Sequence, residues 1–357
     1  MHPTPEASGP RAVHPHAGDR GVAALSPRDV LLGAQAATGL LPVCDHYCGV
    51  EARMRKSLAL QAELAEEFGA VVFDVTLDCE DGAPAGGEAE HAALVASIAL
   101  GAAPSARVAA RVHPVDHPAF AADVHTIVGQ AGARLRHLMI PKVESVTDVA
   151  RAVAAVDAAG GQNLPLHCLI ESPLAVRNAF EIAAHPRVQS LSFGLMDFVS
   201  AHGGAIPDSA MTVQGQFEHP LVLRAKLEIS AACHAHGKTP AHCVVTEFKN
   251  ADALGAAARK AARELGYTRM WSIHPDQIRP ILRAYAPEQH DIERAAALIE
   301  AAEQAQWAPI SHQGVLHDRA SYRYYWQVLE RAFRTGKTLP ASVQGHFIHH
   351  QPDPELI

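Results

Sequence analysis

Eight short apolar runs rich in β-branched residues recur along the chain, separated by Ala-rich stretches with helical spacing. The runs are residues 41–46, 70–77, 108–113, 138–143, 166–171, 190–196, 241–246 and 270–274. Helical windows fall at 53–68, 146–159, 221–237 and 250–266. In the first of these Met54, Leu58, Leu64 and Phe68 share one stripe, and Gly266 closes the last as a C-cap. A strand followed by a helix, repeated, requires crossover connections and therefore parallel strands. Eight such units predict an α/β fold of the TIM (β/α)8 type. The rival architecture, an open doubly wound sheet, usually carries G-x-G-x-x-G after its first strand, and the chain has none.

A barrel of this kind takes ~250 residues, which apportions the chain. Residues 36–290 are assigned to the barrel. Residues 1–35, rich in Ala, Pro, Gly and His, read as a flexible tail. Residues 291–357 read as a C-terminal helical extension, with helical patterns over 288–305 and 321–335.

Charge narrows the function. Lys plus Arg number 30 against 38 Asp plus Glu, a net of −8, and no cation run occurs. Neutralising phosphates needs clustered cations, so a nucleic-acid partner is not expected. Aromatic residues make up only 5%, too few for a base-stacking platform. The apolar stretch 30–43 is interrupted by Gln35 and is shorter than the ~20 residues that span a bilayer, so no membrane partner is expected. No secretory signal layout precedes it. The six cysteines form no C-x-x-C pair and sit in apolar segments, which reads as buried thiols in a reducing cytoplasm. Histidine is abundant at 23 residues. The local pairs His14/His16, His234/His236 and His349/His350 read as surface groups rather than metal sites.

Chemistry in a barrel sits where the strands end. The second run ends in Asp78-Cys79-Glu80-Asp81-Gly82, and the third in Arg111-Val112-His113. The fourth ends in Pro141-Lys142-Val143-Glu144, the fifth in Glu171-Ser172-Pro173, and the sixth in Gly194-Leu195-Met196-Asp197. The eighth ends in His274-Pro275. Singly, each has an ordinary structural reading. Glu171 or Asp197 could be a satisfied rim carboxylate, Arg111 a partner for Asp78 or Glu80, Lys142 a partner for Glu144, and His274 a turn residue. Together, acids converging on one mouth repel and call for a cation. Two carboxylates plus water and substrate oxygens form a Mg²⁺ environment, able to polarise a carbonyl and steady an enolate.

These strings, in this order, resemble the HpcH/HpaI aldolase/citrate lyase family, in its branch of citrate lyase beta subunits and malyl-CoA lyases. The resemblance spans about residues 40–330 and implies a Mg²⁺-dependent lyase that breaks or forms a C–C bond beside a thioester through an enolate. It implies Glu171 and Asp197 as metal ligands and Arg111 as the group steadying developing negative charge. Glu80 and Asp81 would orient Arg111 or hold metal-bound water, and Lys56 would contact CoA phosphates. His274, with His113 and His242, is expected to face the site. Gly314–Asp318 resembles the segment that brings an Asp into a neighbour's mouth. That makes Asp318 the candidate general acid/base and implies a homo-oligomer, trimer or hexamer; an N-cap is its simpler reading. The substrate would be a β-hydroxyacyl-CoA such as malyl-, citramalyl- or citryl-CoA, with CoA as part of the substrate rather than a bound cofactor. A CoA-free 2-keto acid aldolase and an acyl-CoA thioesterase are the alternatives, and a non-catalytic barrel is the weakest.

Overall fold

The computed structural model describes residues 26–33 and 41–348. Eight parallel strands close on themselves: Cys44–Cys48 (β1), Phe73–Asp78 (β2), Val108–Arg111 (β3), Leu135–Ile140 (β4), Leu166–Ile170 (β5), Val188–Phe193 (β6), Thr239–His242 (β7) and Arg269–Ser272 (β8). Each pairs with the next, and β8 returns to β1 with Met270 opposite Cys44. The strand–helix alternation read from the sequence is therefore the fold.

Alternation within each strand divides two cores. Outward residues such as Phe73, Val75 and Leu77 of β2 and Leu166, Cys168 and Ile170 of β5 are buried beneath the helices. Inside the barrel, Tyr47, Met139, Leu169, Ala241 and Trp271 form a separate apolar layer. Deeper still lies a polar layer. Arg269 bridges Asp45 at 2.7 Å and Asp74 at 2.6 Å, and Arg107 meets Asp74 at 2.6 Å. The Thr76 hydroxyl donates to Asp45 at 2.6 Å. Two guanidinium groups thus face two carboxylates, and the layer is neutral. The rings of His137 and His167 stack above one another, 3.6 Å apart.

Two boundaries differ from the sequence reading. The run 41–46 begins ahead of its strand, which spans Cys44–Cys48, because Leu41 and Val43 are buried before the strand starts. The run from 138 begins late, since β4 starts at Leu135 and the inward, polar His137 interrupts the apolar signal that marks a strand.

A further core lies outside the barrel. The helix Pro27–Leu32 packs with Gln289–Gln304, Arg319–Arg334 and Ala341–Ile348 through Leu31, Ile292, Trp326, Leu329 and Phe347. Ser26 caps the first of these by accepting the Asp29 N–H, and Arg28 pairs with Glu330 at 2.8 Å. Residues 1–25 of the expected tail lie outside the described residues. Residues 27–32 correct that reading, because capping and the burial of Leu31 hold them in a helix. Between the first two C-terminal helices stands a hairpin, Ile310–His312 (β9) and Val315–His317 (β10), with Leu316 exposed. The Arg319–Arg334 helix meets the barrel where Arg334 donates to the Leu41 carbonyl at 3.2 Å, below the start of β1. All six cysteines are free and buried.

Candidate active site

The mouth is assembled from five strand ends. Asp78 closes β2 and is the hub of the loop that follows. Its Oδ1 accepts the Glu80 N–H at 3.0 Å, and its Oδ2 accepts the Gly82 N–H at 2.8 Å. A Cβ on Gly82 would stand 2.3 Å from that Oδ2, so only glycine permits the turn. The same carboxylate takes a bidentate pair from Arg111 at the end of β3, at 2.6 and 2.5 Å. The third Arg111 contact is Glu80 at 2.9 Å, and the guanidinium lies over the Tyr47 ring, which Trp271 stacks against. A guanidinium has five N–H donors; three are engaged here, and two remain for a ligand.

Glu171, directly after β5, is buried. It accepts the Lys142 backbone N–H at 2.6 Å. Gly194, after β6, makes room for it: a Cβ there would meet Glu171 Oε2 at 2.4 Å. Burial, and then the neighbouring charges of Asp197 and Glu80, push the Glu171 carboxyl up to about 8. Asp197 stands in the first turn of the helix Leu195–Ser200, half-exposed. Lys142 reaches Glu80 at 2.7 Å, Asp197 at 3.9 Å and Asp81 at 4.0 Å. The anticipated Lys142–Glu144 pair is not what forms; Glu144 instead accepts the Ser172 hydroxyl at 2.7 Å.

Glu80, Asp81, Arg111, Glu171 and Asp197 are therefore brought together. The other expected residues stand elsewhere. Lys56 is exposed on the helix Glu51–Phe68. His274 stacks on Phe248 of the loop after β7, and its Nδ1 caps the next turn by accepting the Asp276 N–H at 3.2 Å. His113 is held by Asp123 at 2.6 Å. His242 faces outward from β7, buried between Phe217 and Tyr267, so the expectation that it faces the mouth is corrected. Its even position on the strand puts it on the helix side. Asp318 caps the Arg319–Arg334 helix, accepting the Ala320 and Ser321 N–H groups at 3.0 and 3.3 Å. Among the described residues no hydrogen bond or ion pair joins it to the mouth of its own barrel. His14, His16, His349 and His350 lie outside the described residues; His234 bonds the Gly266 carbonyl at 2.7 Å.

Four contributors carry no functional assignment in the sequence reading. Asp78 figures there only as a partner for Arg111 and is the loop's organising anion. Lys142 figures as a partner for Glu144 and stands among the acids. Tyr47 and Trp271 carry no polar strand-end signal; Tyr47 lies under the Arg111 guanidinium and Trp271 stacks on it.

Among the described residues two sets of side chains have metal-binding chemistry. Asp45, His137 and His167 bring one potential ligand atom each within 4.8 Å, fully buried in the barrel floor. Asp45 is already satisfied there by Arg269 and Thr76, so an added cation would unbalance a neutral layer. The mouth is different. Among the described residues the ion pairs of Asp78, Glu80, Asp81 and Asp197 run to Arg111 and Lys142, while Glu171, raised first by burial and then by Asp197 and Glu80, has none. All the donors are carboxylate oxygens, the set that suits a hard cation such as Mg²⁺.

The family model described as HpcH/HpaI aldolase/citrate lyase matches residues 57–275. The chain belongs to the HpcH/HpaI aldolase/citrate lyase family. Membership makes it an enzyme of a carbon–carbon lyase family. It is 30% identical over 259 residues to an L-malyl-CoA/beta-methylmalyl-CoA lyase of Cereibacter sphaeroides, covering 68% of this chain and 81% of that one. Among solved structures it resembles a citrate lyase from Burkholderia xenovorans, with 48% identity, a TM-score of 0.75, and coverage of 91% of this chain and 100% of that one. The CitE protein of Mycobacterium tuberculosis, solved with magnesium, acetoacetate and coenzyme A, shares the fold at 21% identity and a TM-score of 0.61, covering 82% of this chain and 98% of that one. Among the described residues no helix is long and apolar enough to cross a membrane.

Proposed function

We propose that the chain is a Mg²⁺-dependent lyase that cleaves or forms the C–C bond of a β-hydroxyacyl-CoA such as malyl-, citramalyl- or citryl-CoA, through an enolate. The observation that carries this is the mouth's charge pattern, five carboxylates against two cations, with Glu171 raised by its burial and then by Asp197 and Glu80. Glu171 and Asp197 would hold the metal, which supplies Lewis-acid polarisation of a substrate oxygen.

The chain's own residues do the rest. Arg111 offers its two remaining N–H donors to the substrate carbonyl or carboxylate and stabilises charge that develops there. Asp78 and Glu80 fix its plane, so little reorganisation is needed as charge moves. Asp81, which lies 4.0 Å from the Lys142 ammonium, is assigned to hold water near the acids. Lys56 and His274 are assigned to the CoA side; beside His274 and its partner Phe248 a groove of about 690 Å³ is lined by residues 246–252. Asp318 is assigned as general acid/base for the mouth of a second copy, in a homo-oligomer of trimeric or hexameric order. The exposed Val315 and Leu316 of the hairpin beside it, and the lack among the described residues of any hydrogen bond or ion pair to its own mouth, support that reading. Six free, buried thiols fit a reducing cytoplasm.

The test is Asp197→Ala, assayed with excess Mg²⁺ against malyl-, citramalyl- and citryl-CoA. Cleavage is expected to fall by at least two orders of magnitude, and unaltered turnover would remove the metal assignment. Free CoA released without C–C cleavage would instead favour a thioesterase. Turnover of pyruvate plus aldehydes alone would favour a CoA-free aldolase.

A further inference from the structure

Lys142 has a backbone conformation that few side chains adopt. Its φ is +52°, the left-handed region, where a non-glycine residue is strained. The strain has a visible consequence. At this turn the backbone N–H of Lys142 donates to Glu171 at 2.6 Å, while its ammonium donates to Glu80 at 2.7 Å. From there the ammonium reaches Asp197 at 3.9 Å and Asp81 at 4.0 Å. One residue therefore touches four of the mouth's five carboxylates, and its side chain is only 40% exposed. Arg111, the other cation of the mouth, is locked to Asp78 and Glu80. Lys142 is the cation on a flexible stem.

We infer that Lys142 is a tethered counter-cation, which holds the acidic mouth together in the metal-free protein and which a divalent cation must displace. The inference deepens the metal-dependent reading above and rests on it. Like charges cannot share the same carboxylates at close range, so the ammonium and a divalent ion compete, whereas the backbone N–H to Glu171 serves either state. Lys142 is thus a positioning residue for the metal-free mouth, with its side chain and backbone doing separable jobs. Its cost is metal affinity; its benefit is that an acid cluster of this density keeps its shape before the ion arrives.

The test is calorimetric titration of Mg²⁺ into the full metal-free chain, in wild type and three variants. Lys142→Met removes the charge. Lys142→Gly removes it and also relieves the backbone, which covers the case in which the Met variant does not fold. Lys142→Arg keeps the charge. The Met and Gly variants are expected to bind Mg²⁺ on the order of tenfold more tightly, the scale for deleting a unit charge at about 4 Å in a largely aqueous setting. The Arg variant is expected to match wild type. A measurement on the unaltered protein stands beside it. Acylation of Lys142 by an amine reagent, mapped by mass spectrometry, is expected to quicken when Mg²⁺ is added. If wild type binds Mg²⁺ and the Met and Gly variants bind no better, with labelling unchanged, the counter-cation role is overturned while the metal site stands. If wild type binds no Mg²⁺ at all, the metal-dependent reading falls and this inference with it.

Discussion

Replacing Asp78 with Asn tests the construction of the mouth without changing its shape. The carboxylate is buried and accepts four N–H groups: two from Arg111 and one each from the backbones of Glu80 and Gly82. Each oxygen takes one of each kind. Whichever way the Asn amide is turned, its NH₂ meets two donors and accepts from neither. The substitution also leaves Arg111 buried with Glu80 as its remaining partner. Removing one member of a buried ion pair costs 3–5 kcal/mol, and because Glu80 still compensates Arg111 the lower end applies, about 3 kcal/mol. For a chain of this size that corresponds to roughly 4 °C in Tm. The assay is denaturant and thermal unfolding of wild type, Asp78→Asn, Arg111→Met and the double variant. The double variant should recover part of the loss, with a coupling energy of about 2 kcal/mol. Turnover should fall along with stability, since Arg111 loses its plane. A loss below about 1 kcal/mol with additive single effects would refute the claim that Asp78 organises the mouth.

Three further outcomes follow from the same physics. Glu171 is raised from its ordinary value to about 8 by burial first and then by Asp197 and Glu80, so its stabilising contribution is complete below the unfolded value and is lost as pH rises through 8. Metal-free protein should therefore be less stable at pH 9 than at pH 6, Mg²⁺ should reverse this, and Glu171→Gln should flatten both effects in a Tm series. Lys226, fully buried beside Gln216 at 2.7 Å and over the Phe217 ring, is lowered by burial from 10.5 to about 8. Its contribution is full above 10.5 and is lost as pH falls through 8, so Lys226→Met should remove a rise of about 3 kcal/mol in stability across that window. Gly194→Ala should push Glu171 aside and weaken Mg²⁺ binding in calorimetry at least tenfold, with the barrel intact by circular dichroism, because 2.4 Å leaves no room for a methyl group.

Most of the fold was legible because eight outward-facing strand surfaces write the same apolar signal. What blurred was the inside of the barrel. His137 and Arg269 are buried and polar, so the apolar patterns at β4 and β8 begin after the strands themselves do. The convergence of Arg111, Glu171 and Asp197 on one mouth was legible, because it follows directly from strand-end position. It was not legible where a contact depends on backbone turns. Nothing in the string Pro141-Lys142-Val143-Glu144 says that Lys142 takes a positive φ and turns toward Glu80 rather than Glu144. His242 shows the opposite error, since a polar residue at a strand end reads as facing the mouth even when its register turns it outward. The helix Pro27–Leu32 escaped because its partners, Trp326 and Phe347 among them, are some 300 residues distant in sequence.

The central claim is that the acidic mouth is a divalent-metal site serving C–C bond chemistry on a CoA ester. The measurement that tests it most directly is steady-state cleavage of malyl-, citramalyl- and citryl-CoA by the full chain, in chelator and after Mg²⁺ is restored. The account predicts keto-acid or glyoxylate release together with the shorter acyl-CoA from at least one of the three, absent in chelator and recovered with Mg²⁺. Cleavage that persists undiminished in chelator, or no cleavage of any of the three with Mg²⁺ present, would contradict it.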